Sequence, residues 1–98
     1  MTIQEITKNL QSSDRPVAKA LHIGDHFKVL IFGFKKGMQL EDHQAYHPTK
    51  LFVISGRIIY KQGQDDTELM QYDEIEIPVK AFHSVEALED SFVLLTQG

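Results

Sequence analysis

Five histidines and no cysteine restrict the metal-binding or acid–base chemistry of this 98-residue chain to imidazoles and carboxylates. His43 and His47 fall in the stretch GMQLEDHQAYHPTKLFVISG, Gly37 to Gly56, and His83 closes the later segment PVKAFH. Strand alternation puts His43 on one face with Glu41 and Ala45, and His83 on one face with Ala81, Val85 and Ala87. Neutral imidazoles at such positions hold a divalent metal or fix the polar group of a small molecule. A catalytic metal normally has at least three protein ligands, so a metal reading must recruit His47 or Glu41 beside His43 and His83. His47 precedes Pro48 and reads as a hairpin-turn residue. His22 and His26 flank Gly24-Asp25, a tight turn rather than a helix, and are expected at the surface. Glu74 and Glu76 alternate with Ile75 and Ile77 as the polar face of a strand. No glycine-rich phosphate loop and no nucleophile-elbow serine is present.

The elements that must position these residues are short. Thr2-Ile3-Gln4-Glu5 has the spacing of a capping box, with Ile3, Ile6 and Leu10 at helical intervals, so residues 1–16 form a short helix or arm ended by Ser12-Ser13-Asp14-Arg15-Pro16. Residues 17–98 read as β throughout: Val17–His22, His26–Phe34, Met38–Ala45, Lys50–Ile54, Arg57–Lys61, Glu68–Gln71, Ile75–Ile77, His83–Ala87 and Ser91–Thr96. Turns are expected at Gly63-Gln64-Asp65-Asp66 and Glu89-Asp90. Short antiparallel strands at this spacing imply an all-β sandwich or barrel. The strand from Phe27 to Phe34 is apolar on both faces. Either a second subunit covers its outer face, making a homodimer with Leu30 or Phe32 directed outward, or the N-terminal segment folds back over it. The C-terminal SFVLLT has the same character and is expected at the same interface.

Composition bounds the partners. A hydrophobic content of 42% can supply a core for one small domain. Ten basic against fourteen acidic residues, with no run of like charge, argue against a nucleic-acid backbone as partner. The N-terminus has no apolar run of signal-peptide length and no segment approaches membrane-spanning length, so the expectation is a cytoplasmic protein with no membrane partner.

Gly37, His43, Gly56, Pro78 and His83 together resemble the motifs of small single-domain cupins of the conserved-barrel, RmlC-like jelly-roll type, over about Val17 to Thr96. The resemblance implies a cupin-type antiparallel β-barrel whose interior is lined by His43, His83, Ala45, Thr49, Leu51, Val53, Ala81 and Val85. It also shows departures. Ala45 and Thr49 stand where the family carries a second histidine and a glutamate, and Tyr72, Lys80 and Ala87 where it carries glycine, glycine and asparagine. The implied function is binding of a small, partly apolar molecule with His43 and His83 as polar anchors. The alternative is a metal-dependent oxygenase or isomerase using iron, manganese, nickel or zinc on His43, His83 and His47 or Glu41.

Overall fold

The computed structural model describes residues 1–98. One helix, α1 (Thr2–Leu10), precedes nine strands: β1 (Val17–Ile23), β2 (Lys28–Phe34), β3 (Gln39–Gln44), β4 (Thr49–Ser55), β5 (Arg57–Gln62), β6 (Asp65–Met70), β7 (Glu74–Ile77), β8 (Phe82–Ala87) and β9 (Ser91–Gln97). They form a five-stranded sheet ordered β1-β2-β9-β4-β7 and a four-stranded sheet ordered β3-β8-β5-β6. Only β1–β2 and β5–β6 are consecutive strands within one sheet; every other connection crosses to the opposite sheet. This is an antiparallel jelly roll, the expected all-β architecture.

Alternation along the strands builds the core. Leu51, Val53, Ile58, Tyr60, Val85, Ala87, Val93 and Leu95 are buried between the sheets, together with Phe34, Ala45, Leu69 and Ile77. The outer face of the five-stranded sheet is covered from within the chain. Ile6 and Leu10 of α1 are buried against Ile31, with Val17, Ile54, Phe92 and Leu94 packed around them. Each of the two helix side chains contributes about 1.5–3 kcal/mol through its burial. Gly33 makes this approach possible, because a Cβ there would run into Ile6 and come within 3.0 Å of Leu10.

Three local expectations are corrected here. The capping box does not form: Met1 is the N-cap without a side-chain hydrogen bond, and Glu5 instead pairs with Lys19 Nζ at 2.6 Å. Leu30 and Phe32 pack toward the inter-sheet core, while Ile31 faces α1, so the outward residues of β2 have the opposite parity. Phe92 and Leu94 of the C-terminal strand lie under the helix, and β9 is a central strand paired with both β2 and β4. Of the two coverings expected for this apolar face, the N-terminal segment provides it.

Candidate functional site

His43 and His83 are direct cross-strand partners on β3 and β8. Their ring centroids lie 4.0 Å apart at an interplanar angle of 60°. The register that joins them depends on a bulge. β3 pairs Leu40 with Val85 and then His43 with His83, so one extra residue is accommodated between these pairs. Leu40 and His43 therefore share the inner face although they are three residues apart. Glu41, expected beside His43, is exposed and lines a shallow polar depression with Gln39, Asp42 and Ser84. Plain alternation fails there because the bulge resets the parity.

His83 is only 2% exposed, a core residue rather than a side chain in a solvated pocket. Its ring stacks on Tyr60 at 5.9 Å, and the Tyr60 hydroxyl donates to Gln62 Oε1 at 2.8 Å. Gln62 is in turn the cross-strand partner of His83 on β5. Tyr60 and Gln62 were not among the expected site residues. The available signal was a tyrosine on the apolar face of β5, in register with Ile58.

Hydrogen bonds select the tautomers. His43 Nδ1 lies 3.0 Å from the Glu41 carbonyl oxygen, and His83 Nδ1 lies 3.4 Å from that of Ala81. A carbonyl only accepts, so each Nδ1 carries a proton, and each ring in its neutral form presents an Nε2 lone pair. The His83 Nε2 is buried with no hydrogen-bond partner. Burial holds the His83 pKa below its ordinary value, with His43 acting in the same direction; the Ala81 carbonyl and Asp42 oppose them. His83 is thus a neutral acceptor in the core, and His43 is half-buried beside it.

The other expected lining residues divide into two groups. Leu51, Val53, Val85 and Ala45 are packed into the closed core cluster. Ala81 is half-buried and supplies the carbonyl facing His83, while the buried Thr49 hydroxyl donates to the His47 carbonyl at 2.8 Å and is spent on the turn. His47 itself is exposed and lines a surface cleft of about 430 Å³ with Asp25, His26, Phe27 and Lys28. His22 is also exposed, its ring 5.5 Å from that of Phe27.

Two loops meet next to the imidazole pair. The Lys80 N–H donates to the Ala45 carbonyl at 2.7 Å, and Gln44 Nε2 donates to the Lys80 carbonyl at 2.8 Å. The Tyr46 hydroxyl completes the clasp by donating to Gln44 Oε1 at 2.8 Å. Lys80 sits at φ 68° and Tyr72 at φ 74°, the only non-glycine residues with positive φ. These are the two positions at which the resemblance leads one to expect glycine, so the backbone shape is kept where the residue is not.

The metal centre implied by the resemblance does not fit these residues. Two imidazoles converge, but Ala45 and Thr49 bring no ligand atom, and no group of three His, Asp or Glu side chains could hold an ion. No family model matches the chain, and no curated protein matches it in sequence. Solved structures do. An RmlC-like cupin from Desulfovibrio desulfuricans is 26% identical, with 84% of this chain and 80% of that one covered at a TM-score of 0.77. A cupin superfamily protein from Desulfitobacterium hafniense is 15% identical over 87% and 78%, at a TM-score of 0.80. Salicylate 1,2-dioxygenase from Pseudoaminobacter salicylatoxidans is 12% identical over 97% of this chain and 30% of its own, at 0.89. At such identities the last two likenesses concern the fold alone.

Proposed function

We propose that this chain, a small cupin domain by its fold, binds a small, partly apolar molecule at the His43–His83 pair. One observation carries the reading: two touching imidazoles whose Nδ1 atoms face backbone carbonyls, with the His83 Nε2 buried and unpartnered. Leaving a buried acceptor unmet costs about 1–3 kcal/mol, a cost that a bound donor removes. Tyr60 packs against the buried His83 ring, and the half-buried His43 is the member of the pair that a molecule meets first. A metal-dependent oxygenase or isomerase is disfavoured, because its third and fourth ligands are absent from the inner face.

Native mass spectrometry and elemental analysis of protein purified without a metal-affinity tag test the reading together. Retained organic mass that disappears in His43→Ala supports it. Stoichiometric iron, manganese, nickel or zinc overturns it in favour of the enzyme.

A homodimer is part of the same proposal, through a surface other than the face covered by α1. The edge strand β1 has a neighbour on one side only and exposes Leu21 and Ile23, with Phe27 exposed just beyond it. An apolar open edge of this kind is readily paired with a second copy. A monomer over a wide concentration range in sedimentation refutes that part. No helix is long and apolar enough to cross a membrane. A cytoplasmic location is in keeping with a chain that uses no cysteine.

A further inference from the structure

Accepting the reading that His43 and His83 anchor a ligand, we infer that the ligand presents a hydrogen-bond donor, a hydroxyl or N–H on an apolar body, and not a carboxylate or phosphate. The chemistry follows from which nitrogen is engaged. Both Nδ1 atoms face backbone carbonyls, at 3.0 Å for His43 and 3.4 Å for His83. The protons of the two neutral rings are therefore on the backbone side, and the pair turns two Nε2 lone pairs away from it. An anion brings only further lone pairs and is repelled by both. A hydroxyl or N–H finds an acceptor on the buried ring, where none is met within the protein, or on the half-buried ring beside it.

The surroundings agree. The Tyr60 hydroxyl is committed to Gln62, and the Thr49 hydroxyl to the His47 carbonyl, so neither is free to donate to an anion. Asp42 is close enough to act on His83 electrostatically, which adds negative potential to a site already rich in acceptors. No Lys or Arg ion pair involves either imidazole's strand neighbours on the inner face; Lys61 pairs with Glu86 on the other side of the four-stranded sheet. The two imidazoles have thus become an acceptor site where the family's metal ligands are incomplete.

The test uses the full chain labelled with ¹⁵N, at a pH where histidine is neutral. Long-range nitrogen–proton correlation first reads the tautomers: both rings should be protonated at Nδ1 and bare at Nε2. Benzyl alcohol, benzylamine and benzoate, matched in their apolar body, are then titrated in. The expected result is that an alcohol or amine probe moves the Nε2 resonances of His43 and His83 and binds at least tenfold more tightly than benzoate. His22, His26 and His47 should stay unmoved as internal references, and His83→Leu should lose the discrimination.

An Nε2-protonated His83, or benzoate binding as tightly as the donors, overturns the donor assignment while the binding reading stands. Silence from all three probes also overturns it. The binding reading itself then fails only if native mass spectrometry finds no organic molecule retained.

Discussion

Replacing His83 by Leu is the sharpest probe of the site, because an unpartnered acceptor tolerates the change and a hydrogen-bonded structural histidine does not. The ring is 2% exposed and its Nε2 has no partner. Leaving that acceptor unmet costs about 1–3 kcal/mol, which an apolar side chain of similar size recovers. Against this, the stack on Tyr60 contributes about 0.5–1.5 kcal/mol, and the change of shape costs less than about 1.5 kcal/mol. The long Nδ1 contact to Ala81, at 3.4 Å, adds little on the other side. The terms nearly cancel, leaving a balance between about 2 kcal/mol against the variant and about 2.5 kcal/mol in its favour, centred near zero. In a domain of this length each kcal/mol moves the melting temperature by about 4–8 °C. Alanine is the poorer probe, since it opens a cavity in a packed core.

The assay is urea and thermal unfolding at pH 7.5 and again at lower pH, where the sign is fixed by burial. The folded imidazole has a pKa below its ordinary 6.5, so as pH falls past that value the unfolded chain takes up the proton first. The contribution is complete above about 6.5 and is lost as pH falls toward the lower folded value. His83→Leu removes this loss, so the variant should gain stability relative to wild type on acidification. A variant more than about 2 kcal/mol less stable than wild type at pH 7.5 would show that the ring is structurally bonded and refute the argument.

Further outcomes follow from the same geometry. Lys80→Gly relieves a left-handed backbone at φ 68° and should stabilise the fold by about 0.5–1 kcal/mol in chemical denaturation; a loss would mean that the lysine side chain holds the loop. Gly33→Val drives a side chain into Ile6 and Leu10. It should cost about 3 kcal/mol or more and expose residues 2–10 to limited proteolysis, and an unchanged cleavage pattern would contradict the packing of α1 on β2. Ala45→His with Thr49→Glu should create metal-dependent stabilisation by zinc or manganese in thermal scans. No shift with metal would show that these positions do not face the histidine pair.

Much of the architecture was legible in the sequence because the physics that sets it is local. Period-two alternation and turn residues placed all nine strands to within a few residues, and the pairing of His43 with His83 on one face followed from their motif positions. Ala45 and Thr49 likewise announced an incomplete ligand set before any geometry was known. Non-local packing decided the rest. The parity of β2, with Ile31 outward and Leu30 and Phe32 inward, depends on which face meets α1, and an apolar run carries no mark of that. The bulge that turns Glu41 away from His43 arises from matching β3 to β8, a constraint between strands far apart in the chain. Residue type alone makes His83 a ligand or an acceptor. Only the tertiary structure showed its Nε2 sealed in the core, with Nδ1 facing the backbone and Tyr60 against the ring, because burial and tautomer are properties of the surroundings and not of the residue.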